Sequence, residues 1–141
     1  MPGTLSVVPK TTAASVRLLL VTRESAILSL LWPIGEARKW HLESATNGWG
    51  AMERVQSGVT PDLLILDLNM PEPDGFDLLK IERSEFPYLR ILVISGYLKG
   101  PLLTAAKFVG AFATLEKPFA PNVLVDKVRE VLGELTPAAA R

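Results

Sequence analysis

The chain has 141 residues, enough for one domain with a real core, and its 15 basic and 15 acidic residues cancel, so no overall field draws it to nucleic acid or to a membrane surface. It has no cysteine and a single histidine, His41, which excludes disulfides, thiolate zinc sites and thiol catalysis. No stretch approaches the ~18 consecutive apolar residues of a membrane span.

Met1 to Ser15 mixes Pro, Thr, Ser and Ala without periodicity and without an apolar signal core, and reads as a flexible tail. Thr136 to Arg141 reads as a second tail or the start of a linker, which leaves a domain over 16–135 and predicts a cytoplasmic protein. Between the tails, apolar runs alternate with helical patterns. Arg17 to Val21 is a buried strand, and Ser25 to Trp32 is a short helix that Pro33 and Gly35 are expected to end or kink early. Trp40 to Ala45 alternates as a half-exposed strand does. Asn47 and Gly48 turn the chain into a helix over Trp49 to Gln56, with Trp49 expected at the edge of the core.

Leu63 to Leu66 is too short for a typical helix and suits a strand buried on both faces; it ends on a carboxylate, Asp67. A turn-rich segment with Asn69, Pro71, Pro73, Asp74 and Gly75 follows, then a helix over Phe76 to Ser84. Arg90 to Ser95 is a fourth strand, ending in a hydroxyl. Pro101 to Val109 is a helix with proline in its opening turn, where the missing N–H does no harm. Ala113 to Glu116 is a fifth strand. Pro121 to Leu135 is the last helix, with Val123, Leu124, Val128, Val131 and Leu132 on its inner face. Five strands alternating with five helices predict an α/β fold, a doubly wound parallel sheet covered on both sides.

In such a sheet the carboxyl ends of the strands share one edge, where ligands bind. The strand ends deliver Thr22, Arg23 and Glu24, then Asp67, Ser95 and Lys117. Singly, a serine there is commonly a turn residue and a lysine before proline is commonly solvated. Together they suit phosphoryl chemistry: a carboxylate nucleophile, a hydroxyl donor and an ammonium counter-charge.

Here the chain resembles the receiver domains of bacterial two-component response regulators. The resemblance is carried by PDLLILDLNMPEPDG at 61–75, ILVISGY at 91–97 and GAFATLEKPF at 110–119, with weaker support from RLLLV at 17–21 and HLESATNGWGAM at 41–52. It covers about Val16 to Leu135. It implies a flavodoxin-like, CheY-like sheet in the order 2-1-3-4-5. It also implies phosphorelay signalling by a phosphoprotein rather than an enzyme, with any self-phosphorylation or dephosphorylation slow. Carried over by position, Asp67 would accept phosphate from a sensor histidine kinase or phosphotransfer protein, and Asn69 would offer its backbone carbonyl to Mg²⁺. Ser95 would be the switch hydroxyl and Lys117 the phosphoryl contact, with Asn69 and Tyr97 at positions that tune phosphate lifetime.

Two departures qualify this. Where the family commonly places two acids after strand 1 to hold Mg²⁺, this chain has Thr22 and Arg23, with Glu24 one step later as a weak substitute ligand. Mg²⁺ wants oxygen ligands. A cation ~5 Å away at an effective dielectric near ~20 opposes it by several kcal/mol, less where solvent intervenes. Mg²⁺ binding is therefore expected to be weak or absent. Arg23 either pairs with Asp67 or points to solvent, and the two are evenly matched. Thr114 stands where the family commonly has a switch aromatic.

The Pro101–Val109 helix carries one charge, Lys107, so Leu102, Leu103, Phe108 and Val109 cannot all face inward; they are expected to form a partner or homodimer surface within the Pro101–Leu135 face. Two readings stay open: a phosphorylatable receiver, or a receiver-fold interaction module that signals without Mg²⁺-dependent phosphorylation. Neither involves nucleic acid or membrane. An Asp-nucleophile phosphatase would need a second acid where Asn69 stands, and a flavin carrier would need a better phosphate loop than Thr22 to Ser25 offers.

Overall fold

The computed structural model describes residues 16–57, 60–69, 75–96, 104–107 and 109–134. The expected tails at 1–15 and 136–141 lie outside them. Five parallel strands, β1 (Arg17–Val21), β2 (His41–Ala45), β3 (Leu63–Asp67), β4 (Ile91–Ser95) and β5 (Ala113–Glu116), form one sheet in the order β2-β1-β3-β4-β5. The three inner strands are runs of Leu, Ile and Val because both of their faces are covered. The edge strands β2 and β5 are half-exposed and carry His41, Glu43, Thr114 and Glu116.

The helices are α1 (Ser25–Arg38), α2 (Gly48–Ser57), α3 (Gly75–Glu85), α4 (described at 104–107 and 109) and α5 (Pro121–Val131). On one face, Ala51 and Val55 of α2, Leu78 and Leu79 of α3 and Ala106 of α4 cover Leu19, Leu64, Leu66, Ile91 and Val93. On the other, Ile27 and Leu31 of α1 and Leu124, Val128 and Val131 of α5 cover Leu18, Leu20, Ile65, Leu92 and Ile94. Strand order reverses between β1 and β3, so the crevice at their carboxyl ends is where this fold places a ligand. Among the described residues no helix is long and apolar enough to cross a membrane.

Several elements depart from the sequence expectations. Helix α1 does not stop at Pro33 or Gly35 but runs to Arg38. Leu31 and Gly35 are buried, and a Cβ on Gly35 would already touch Leu42 and Trp40, so packing against β2 outweighs the local breakers. The helix ends instead at Lys39, whose φ of 62° lets Trp40 N–H donate to Gly35 O at 2.8 Å. Trp49 is not a core-edge residue: it stands 66% exposed in the first turn of α2. On α5, Val123 faces outward while Leu124, Val128 and Val131 are buried and Leu132 is partly buried. Of the expected α4 surface, Leu102, Leu103 and Phe108 lie outside the described residues, and Val109 packs against the core.

The end of α4 is pinned by Arg83 of α3. Its guanidinium donates to Gly110 O (3.1 Å), Leu89 O (2.7 Å) and the carbonyls of Phe86 and Pro87. Gly110 has φ of 134°, and a Cβ there would stand 2.7 Å from Arg83 Cγ, so both conformation and space require glycine.

One charged group sits awkwardly in the α3 layer. Glu82 is 1% exposed and neither carboxylate oxygen has a hydrogen-bond partner among the described residues. Burial, helped by the charge of Glu85, raises its pKa from 4.5 to about 7. The folded chain therefore keeps a proton that the unfolded chain releases near pH 4.5, so the contribution of Glu82 to stability is fully present below about pH 4.5 and is lost as pH rises through about 7. Glu82→Gln is expected to match the parent at pH 5 and to exceed it at pH 8 by on the order of 3 kcal/mol in urea unfolding. Equal pH slopes for the two chains would contradict this.

Candidate functional site

Asp67 ends β3, and the hydrophobic run before it carries the carboxylate inside the protein with it: its exposure is 0%. A buried carboxylate is unstable unless hydrogen-bonded and paired. Three strand ends supply what it needs. From β1, Thr22 Oγ1 donates to Asp67 Oδ2 at 2.8 Å. From the turn after β3, Asn69 N–H donates to Asp67 Oδ1 at 2.9 Å. From β5, Lys117 Nζ lies 3.1 Å from Oδ2 and 3.3 Å from Oδ1.

Lys117 reaches this point because its N–H donates to Ser95 O (2.8 Å), extending the β4–β5 ladder by one residue, before the cis Lys117–Pro118 bond turns the chain away. Gly96 lets it pass closely; a Cβ there would stand 3.1 Å from Lys117 Cβ. The ammonium also donates to Glu24 Oε2 at 2.6 Å, so one cation is shared by two carboxylates. Burial pushes the Lys117 pKa down, but the hydrogen bonds and charges of Glu24 and Asp67 outweigh it and leave the group raised and cationic.

Of the residues singled out in the sequence, Asp67 binds Lys117 and the Asn69 N–H, and Lys117 in turn binds Glu24. Ser95 is adjoining rather than joined. Asp67 stands level with Ile94 in the β3–β4 register, and the Ser95 hydroxyl, 1% exposed, has no hydrogen-bond partner among the described residues. Arg23 settles the even choice: it is exposed and makes no ion pair or hydrogen bond among the described residues. Strand alternation explains this, since Thr22 takes the inward position and its successor must point out. Thr114 is half-buried on β5. Tyr97 lies outside the described residues.

Two features escaped the sequence reading. Thr22 was noted only as a missing acid, whereas it is 5% exposed and bonded to Asp67. A groove of about 580 Å³ also opens beside the site, lined by Ala26, Ile27 and Leu30 of α1, with Glu24, Asn69, Gly96, Lys117, Pro118 and Phe119 completing it. No separate signal in the sequence marked it, because Ile27 and Leu30 also belong to the side of α1 that packs on the sheet.

A family model for the response regulator receiver domain matches residues 18–129. Chemotaxis protein CheY1 of Helicobacter pylori is 38% identical over 94 residues, which cover 63% of this chain and 73% of that protein. Sporulation initiation phosphotransferase F of Bacillus subtilis is 27% identical over 116 residues, 82% of this chain and 93% of that one. Among solved structures, a CheY-like response regulator receiver domain protein from Methanospirillum hungatei has a TM-score of 0.77 at 25% identity, over 85% of this chain and 95% of that chain. With the strand order and these likenesses in agreement, the chain belongs to the response regulator receiver domains, modules of phosphorelay signal transduction that work with histidine kinases or phosphotransfer proteins.

Proposed function

We propose that Asp67 is the phosphoacceptor and that the donor is a phosphohistidine on a sensor kinase or phosphotransfer protein. The P–N bond of the donor breaks as an Asp67 oxygen bonds to phosphorus, and no further reactant is needed. The observation that carries this reading is the Asp67–Lys117 pair: a fully buried carboxylate at the tip of the central strand, held by an ammonium that reaches it from the far side of β4. Once the phosphoryl group is attached, the same ammonium neutralises its oxygens. The Ser95 hydroxyl supports the reading too, since an unpartnered buried hydroxyl is costly unless a partner arrives in another state. The apolar groove beside Lys117 gives a partner helix or loop a dry surface on which to seat its phosphohistidine. Such a domain is a signalling module in the cytoplasm, and the exposed Val123 on the Pro101–Leu135 face favours self-association there.

Mg²⁺ does not fit the donor set as it stands. The point between the Glu24 and Asp67 carboxylates is taken by the Lys117 ammonium, Thr22 Oγ1 donates rather than ligates, and Arg23 offers a positive charge. Charge balance at Asp67 therefore comes from the chain itself.

Labelling of the chain by acetyl phosphate is expected to be slow, to rise only a few-fold with Mg²⁺, and to vanish in Asp67→Asn. Rapid and strictly Mg²⁺-dependent labelling would contradict the account of the metal site, and no labelling of a folded chain would leave a module that acts by binding alone. Arg23→Asp is expected to raise Mg²⁺ affinity about 10-fold by calorimetric titration, because it replaces a repelling charge beside the site with an attracting one. Unchanged affinity would count against that.

A further inference from the structure

We propose that Thr22 is the positioning residue of the acceptor carboxylate, fixing the plane of Asp67 with a hydroxyl proton. The inference rests on the reading of Asp67 as phosphoacceptor. Thr22 Oγ1 accepts a hydrogen bond from Glu24 N–H at 3.0 Å and stands 2.8 Å from Asp67 Oδ2. A hydroxyl has one proton to give. With a backbone donor already aimed at its lone pair, and a carboxylate with no proton opposite, that proton is committed to Oδ2.

Water does not compete, since Thr22 is 5% and Asp67 0% exposed. Nor does the side chain swing: a β-branched residue is stiff at χ1, and Thr22 N–H is anchored on Ala45 O at 3.1 Å.

The other donors cannot do this alone. Asn69 N–H holds only Oδ1, and Lys117 touches both oxygens while making a shorter bond, 2.6 Å, to Glu24. An ammonium divided between two carboxylates neutralises charge but does not set an angle. Thr22 on Oδ2 and Asn69 on Oδ1 together stop rotation of the carboxylate. In-line phosphoryl transfer depends on that kind of alignment.

The test compares initial rates of aspartyl phosphate formation against acetyl phosphate concentration for the full chain and for Thr22→Ser, Thr22→Val and Asp67→Asn. Thr22→Val keeps the shape and removes the proton. It is expected to lower the maximal rate about 10- to 100-fold, with the half-saturating donor concentration unchanged. Thr22→Ser keeps the proton and is expected to stay within about 3-fold of the parent. A valine variant that labels at the parental rate overturns the proposal, as does a serine variant that falls as far as valine. Thr22→Ala serves in place of valine if circular dichroism shows that valine prevents folding. Absence of label in the parent chain overturns the phosphoacceptor reading itself, which distinguishes that failure from failure of the role given to Thr22.

Discussion

A carboxylate with no solvent contact has to be neutralised from within the protein, and in this chain the ammonium of Lys117 does it at 3.1 Å. Asp67 and Lys117 belong to β3 and to the residue after β5, with β4 between them, so the pair exists only if the sheet is wound in the observed order. Removing Lys117 would leave the buried Asp67 charge without its cation, which costs about 3–5 kcal/mol, whereas Lys117 without Asp67 keeps Glu24. The same ammonium holds Glu24 at the start of α1. A single cation thus joins the segment after β1 to the ends of β3 and β5.

The segment after β1 gives this receiver its individual character. Three consecutive residues take three directions: Thr22 turns inward to Asp67, Arg23 goes to solvent, and Glu24 reaches across to Lys117. One acid and one hydroxyl replace the two acids expected there. Both are engaged by groups of the chain, Thr22 by Asp67 and Glu24 by Lys117. The two carboxylates share one ammonium, and Arg23 stands outside the cluster.

Away from the site, two layers of apolar side chains hold the sheet rigid, and Arg83 ties the end of α4 to the entrance of β4 through backbone carbonyls. At the other end of β4, the buried hydroxyl of Ser95 has no hydrogen-bond partner among the described residues.

The sequence by itself determined the sheet. The apolar runs at β1, β3 and β4 can only be strands buried on both faces, and their alternation with helical periods leaves few windings. It also put Asp67, Ser95 and Lys117 at strand ends, because a polar residue terminating such a run must sit at the sheet edge. What it could not determine were choices made by contacts between distant segments. Pro33 and Gly35 read as breakers until β2 and the core repay the helix that runs through them. Trp49 read as an edge-of-core residue and Val123 as an inner-face one, and both stand exposed in the packed fold. Thr22 and Arg23 could not be ranked as partners of Asp67 from composition, since the fork of an arginine matches a carboxylate as well as any hydroxyl does. Only the direction of the chain leaving β1 decided which of them faces inward, and a direction in space is a property of the packed sheet rather than of the residues in order.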